Sequence, residues 1–162
     1  AKLDTDPLFQ KNHYMEMVYE AQNQIEALLK LPECRADLKK LTLSIGLHTI
    51  RLQPFHMALY LYLIKKTKGI QGGKNISSSQ KEELFQLYEQ ISSVSGNKSR
   101  VKKTLEKDAP QAITKAVSTI NAAIKKQLPA PVAHPYLILN EGIYGNAYYR
   151  IPLDRKLFKL IE

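Results

Sequence analysis

The side chains able to do chemistry are few in type. Four histidines, His13, His48, His56 and His134, are scattered, and no two sit at i, i+4 on one helix with a carboxylate between them. A zinc-hydrolase arrangement is therefore not expected. Cys34 is the single cysteine, which leaves no disulfide framework and no cysteine-based zinc site. It suits a reducing, cytoplasmic compartment. Gly69 to Gly73 lacks the Gly-Lys-Ser/Thr finish of a phosphate-binding loop. Neither catalytic residues, metal ligands nor a cofactor site is assigned. Cations remain: the chain holds 24 Lys and Arg against 15 Asp and Glu, a net charge of +9. The excess is uneven, since residues 1–38 carry four basic and seven acidic side chains and residues 39–162 carry 20 and eight. A field of that sign attracts a polyanion.

The cations fall in two stretches. Lys98, Arg100, Lys102, Lys103 and Lys107 crowd one segment of thin apolar content, expected as a loop or a solvated helix. Residues 111–128 form the clearest amphipathic helix, opened by Pro110 and closed at Leu128-Pro129. Ile113, Val117, Ile120 and Ile124 make its inward stripe. Lys115, Ser118, Thr119, Ala122, Lys125 and Lys126 fall on the other side. Small and cationic side chains let a helix lie close to phosphates and base edges, with Lys supplying charge and Ser and Thr hydrogen bonds. Arg150, on an expected strand, is a further phosphate contact. Tyr144, Tyr148 and Tyr149 near it could stack on bases or pack against the domain; neighbours in a strand face opposite ways, so at least one of Tyr148 and Tyr149 is expected to pack.

The elements that position these residues can be read in order. An acidic helix spans His13 to Leu31, with Met15, Val18, Gln22, Ile25 and Leu29 on one stripe, and ends at Pro32. Residues 39–53 alternate through Leu41, Leu43 and Ile45, break at Gly46 and alternate again, as a hairpin or meander does. Phe55 to Lys66 is apolar nearly all round, the mark of a helix buried on most faces. Ser79 and Glu82 have capping-box spacing for a helix carrying Leu84, Leu87, Tyr88 and Ile91. After the amphipathic helix come strands at Tyr136 to Leu139 and Ala147 to Leu153, joined through Asn140-Glu141-Gly142 and Gly145-Asn146. The longest apolar run, Met57 to Ile64, is far short of the ~18 residues of a membrane span. The expected fold is mostly α with a small antiparallel sheet, an α+β winged helix-turn-helix over residues 39–162, preceded by an extra helix or linker over residues 1–38.

Residues 51–64, RLQPFHMALYLYLI, look like the opening of response-regulator effector domains, which are winged helices. Ser118-Thr119-Ile120-Asn121, Leu128, Pro135-Tyr136-Leu137-Ile138 and the wing ending Tyr149-Arg150-Ile151-Pro152-Leu153 resemble the C-terminal winged helix of some CRISPR-associated proteins. In those proteins it follows a Rossmann-fold half that senses cyclic oligoadenylate. The likeness covers about residues 40–162 and holds no Rossmann half, so with Ala at position 1 the chain is expected to be part of a longer one. It implies a non-catalytic domain that binds nucleic acid, double-stranded DNA in the first instance, in a regulatory or antiviral defence setting. The segment 93–110 departs from a tight turn by its length and its charge.

Two other readings stand beside it. Residues 13–31 could pair across a two-fold and make the chain a homodimerising, protein-interaction module. Arg51 and His56, with four residues between them, are similar to the Arg…His signature of HEPN ribonucleases, in which the pair cleaves RNA at a dimer interface.

Overall fold

A computed structural model describes residues 12–22, 31–92, 95–143 and 146–161. The chain divides into two units, Ala1–Pro32 and Glu33–Glu162. In the first, residues 12–22 form α1. Its stripe is only partly as expected: Val18 is half-buried, whereas Met15 and Met17 are 58% and 57% exposed. Ile25 and Leu29 lie outside the described residues.

The second unit begins six residues before the expected boundary at residue 39, because residues 34–37 are a strand. This β1 (Cys34–Asp37) buries Cys34 and Ala36 and pairs antiparallel with β2 (Thr42–Ile45). β2 in turn pairs antiparallel with β3 (His48–Arg51). Leu41, expected in the alternation, is instead a turn residue with φ 55°. Asp37 sets that turn, its Oδ1 accepting from the backbone N–H of both Lys39 and Lys40 at 3.0 Å. Leu43, Ile45 and Ile50 join Cys34 and Ala36 in the core.

Pro54 opens α2 (Pro54–Lys65), in which every residue from Met57 to Ile64 is buried. Gly69, at φ 92°, turns the chain into β4 (Ile70–Gln71). The capping box of α3 (Ser78–Ile91) is made by Ser77 with Gln80, two residues earlier than the Ser79–Glu82 pair expected. Both spacings satisfy the motif. The earlier start carries Ile76, just ahead of the cap, into the core.

The two cationic stretches are one structural element. Residues 98–107 are helical, and they run on into the amphipathic helix as α4 (Ser95–Gln127), interrupted by a kink at Asp108 (φ −151°, ψ 52°). Pro110 accounts for a break here, since it has no N–H to give the helix ladder and its ring clashes with the carbonyl four residues back, and the chain departs from helical dihedrals at Asp108. A short helix, α5 (Ala130–Ala133), and a 3₁₀ turn at His134–Tyr136 follow. Tyr136 is therefore not in a strand, and β5 is only Leu139–Asn140. β6 (Tyr148–Arg150) stops short of Pro152, which has no N–H to give a ladder. The tail forms β7 (Phe158–Ile161), parallel to β1.

The chain is α+β, its strands forming two sheets in the orders β3-β2-β1-β7 and β4-β6-β5. In chain order the second unit runs α2–β4–α3–α4–β5–β6, with β6 between β4 and β5 in its sheet. Arg155 locks it at the end of α2. Its guanidinium donates to the carbonyls of Leu63 (3.1 Å), Ile64 (2.7 Å), Ile151 (2.9 Å) and Leu153 (2.5 Å). The first two are helix-terminal acceptors that have no partner within α2. Arg155→Met should lower the unfolding free energy by about 2–3 kcal/mol, the scale of hydrogen bonds from a charged group. Removing the exposed Arg35–Glu33 pair (3.0 Å) by Arg35→Ala should cost about 1 kcal/mol or less. Urea denaturation of both variants checks the contrast.

Cys34 lies behind α2 beside Tyr60, whose hydroxyl donates to the Tyr136 carbonyl at 2.9 Å. Burial pushes the Cys34 thiol from 9.0 up to about 12, outweighing the hydrogen bond with Tyr60 that lowers it. The folded protein thus keeps a proton that the unfolded chain loses above about pH 9. Stability from this group is full below pH 9 and should be lost as pH rises toward 12. Cys34 is fully buried and its thiol is held protonated near neutral pH, so alkylation of Cys34 should track global unfolding. Labelling with iodoacetamide across a urea series reads this out; rapid labelling without urea contradicts it.

Candidate nucleic-acid interface

The amphipathic pattern of α4 decides which side chains it can offer. Beyond the kink, Ile113, Ala116, Val117, Ile120 and Ile124 are buried. Lys115, Ser118, Thr119, Ala122, Lys125 and Lys126 are all exposed, on one face at helical spacing. Thr119 donates its hydroxyl to the Lys115 carbonyl at 3.0 Å, which leaves the oxygen free to accept. Ala122 allows close approach at the centre of this face.

Asn121 ties the face to the residue just ahead of the β5–β6 hairpin, the wing of the expected fold. Its Nδ2 donates to the Ile138 carbonyl at 2.8 Å, and its Oδ1 accepts from the Ile138 N–H at 2.9 Å. Thr114 meets the Tyr149 hydroxyl at 3.1 Å. The wing itself is built on Asn140, whose Oδ1 accepts from the N–H of Gly142 and Tyr148 at 3.0 and 3.1 Å. A Cβ at Gly142 would lie 1.9 Å from the Asn146 carbonyl oxygen, so only glycine fits there. The loop after β4 closes against it, Gly72 donating to the Ala147 carbonyl at 2.9 Å and Asn75 Nδ2 to Asn146 Oδ1 at 3.2 Å. Between this loop, the start of the second half of α4 and the wing runs an open groove of about 520 Å³. Lys74, Gln111, Thr114 and Asn140 line it. None was singled out from sequence; only the meeting of three segments marks them.

The other candidates separate. Arg100 and Lys115 line one cavity at the kink, together with His56. Lys102 turns toward α3, its Nζ 6.0 Å from the centre of the Phe85 ring, in a groove it shares with Glu82, Glu89 and Glu106. That places it apart from the face carrying Lys115 and Lys125. Lys98 is half-buried and Lys103 exposed on the first half of α4. Arg150 is bound to Glu141, Nη2 to Oε1 at 2.6 Å and Nε to both carboxylate oxygens at 3.1 Å. The pairing holds the Glu141 carboxyl below its ordinary range. Arg150 thus joins the two strands of the wing, its charge balanced across them.

Tyr149 is buried, and the Tyr148 hydroxyl donates to the Lys68 carbonyl at 2.6 Å. Both rings are part of the domain's packing rather than a stacking surface. Tyr144 lies outside the described residues. Arg51 ends the edge strand β3 and is exposed, while His56 is half-buried in the first turns of α2. Among the described residues no group of three or more His, Cys, Asp or Glu could hold a metal ion. No helix is long and apolar enough to cross a membrane among them either. No protein-family model, curated protein or solved structure matches the chain.

Proposed function

We propose that Glu33–Glu162 is a non-catalytic nucleic-acid-binding domain whose ligand is double-stranded DNA. One observation carries the reading: Lys115, Ser118, Thr119, Ala122, Lys125 and Lys126 are exposed together on the side of α4 opposite its buried stripe. α4 as a whole holds eight basic and two acidic side chains, net +6. The second half of α4 is the element that enters the major groove in this reading, with Ser118, Thr119 and Ala122 toward base edges. Lys115, Lys125 and Lys126 then meet phosphates, with Lys98, Arg100 and Lys103 on the flank. The groove beside the wing adds Lys74 and Gln111 to that surface. The resemblance to the C-terminal domain of CRISPR-associated or regulatory proteins supplies the setting, in which such a domain is one part of a larger protein.

Lys115→Ala combined with Lys125→Ala should weaken binding by a similar factor on unrelated duplexes. It should also reduce the slope of log K against log salt by about 2, roughly one per lysine. Anisotropy titrations with two unrelated 30-base-pair duplexes at several salt concentrations measure both. An unchanged slope removes this face from the interface.

A second reading rests on α1. Tyr14, Met15, Met17 and Tyr19 are each more than half exposed, an unusual apolar load for one short helix. In this reading residues 13–31 pair with a second copy of the chain. Met15→Glu with Tyr19→Glu, which share a stripe, should then abolish a concentration-dependent dimer in sedimentation equilibrium. A chain that is monomeric throughout rules the reading out.

A further inference from the structure

Where α4 bends at Asp108, its two halves and the first turns of α2 border a cavity of about 340 Å³. That volume lies at the small end of the roughly 300–1,000 Å³ typical of small-ligand sites. One wall is aromatic. Phe55 and His56 present rings 6.4 Å apart and tilted by 58°. The Phe55 ring is held in turn by an edge contact with Tyr88, 6.4 Å between centroids. Burial lowers His56 from its ordinary value, which favours the uncharged imidazole. The cavity is also lined by two cations, Arg100 from the first half of α4 and Lys115 from the second. Neither makes a salt bridge among the described residues. Asp108 and Gln111 line the bend between them.

This combination has a specific chemistry. A flat ring surface stacks on a nucleobase of any kind. A guanidinium and an ammonium together bind a phosphate, the first through paired hydrogen bonds and the second as a point charge. A carboxylate accepts only, so Asp108 favours a base that offers an exocyclic amino group over one that offers a carbonyl there. We infer that the cavity binds a single unstacked nucleotide with an amino-bearing base. The base stacks on the Phe55 ring with the tilted His56 imidazole at its edge, its amino group reaches Asp108, and its phosphate sits between Arg100 and Lys115. The nucleotide is either free or an unpaired residue of a nucleic-acid strand. Duplex binding is not required for this site, because the cavity is complete without the outer face at Ser118 to Lys126.

The kink makes the site. In an unbroken helix Arg100 and Lys115, 15 residues apart, would be separated by about four turns along one axis. With the break at Asp108 both border one cavity.

The test uses the full chain with CMP, UMP and inorganic phosphate, followed by calorimetry and by amide NMR. CMP and UMP differ in the ring substituent that Asp108 would read. CMP should bind saturably, shift the amides of Thr104 and Ala112, and outcompete UMP and phosphate by about tenfold each. Ala112→Phe, which fills the cavity without removing a charge, and Arg100→Glu, at an exposed position, should each weaken CMP by about tenfold or more. A thermal melt of each variant establishes that it is folded. A second arm compares a fully paired duplex with duplexes bearing one unpaired dC or one unpaired dT. Tighter binding of the dC duplex, lost in Ala112→Phe, supports the strand-borne source even where free CMP binds weakly. Equal binding of CMP, UMP and phosphate overturns the inference. So does unaltered CMP binding by Ala112→Phe. So does the absence of CMP binding together with equal affinity for the three duplexes.

Discussion

Eight consecutive residues of α2, Met57 to Ile64, are buried, so no side of this helix is left to water. A helix of that kind cannot sit on one face of a sheet as an amphipathic helix does; it needs cover all round. The rest of the second unit supplies it. β1, β2 and β3 bring Cys34, Leu43, Ile45 and Ile50 to the same core, α3 adds Leu84 and Tyr88, and α4 adds Ile113, Ile120 and Ile124. Among the polar groups that this burial would strand are the Tyr60 hydroxyl and the carbonyls at the end of the helix. The first is satisfied by the Tyr136 carbonyl and the second by Arg155. Both partners come from the C-terminal third of the chain, so the wing region and the tail are fastened to the core helix by hydrogen bonds that cannot be dropped cheaply.

That arrangement explains where charge can go. With its apolar stripe committed to the core, α4 has only its outer side for polar residues, and its lysines accumulate there. The bend divides them into two groups with different neighbours. Lys125 and Lys126 stay on the open face, Lys102 lies against Phe85 among three glutamates, and Lys115, at the edge of the open face, borders the cavity at the kink together with Arg100. Net charge by itself therefore overstates the size of any single anion-binding surface. The wing is similar in this respect, since Arg150 is neutralised by Glu141 and works as a strut. Its free surface is polar rather than cationic, apart from Lys74 in the loop beside it.

Much of this was legible in the residues themselves. The Leu43, Ile45 alternation, the all-round apolar run of α2, the stripe of Ile113, Val117, Ile120 and Ile124 and the small outer face around Ala122 each follow from a local period, and local periods survive folding. Turn and cap chemistry was legible in kind but not in place. Three consecutive serines offered alternative caps for α3; Ser77 takes the role, with Ile76 buried just ahead of it. β1 was missed because four residues, CRAD, carry too little pattern to register. It exists because β2 and the distant β7 pair with both of its edges.

Composition, periodicity and proline placement determined an α+β chain, a fully buried central helix, and a cationic helix with one apolar and one small polar side. These depend on neighbours within a few positions, so sequence suffices. Tertiary structure alone decided which cations stand together. Arg100 joined Lys115 and His56, Lys102 went to α3, Arg150 was spent on Glu141, and Asn121 came to clamp Ile138. Each of these pairings joins residues that no local period relates, and each is set by the α4 bend at Asp108 or by the strand order β4-β6-β5. A charge is counted in the sequence, but its partner is chosen by the space that packing leaves around it.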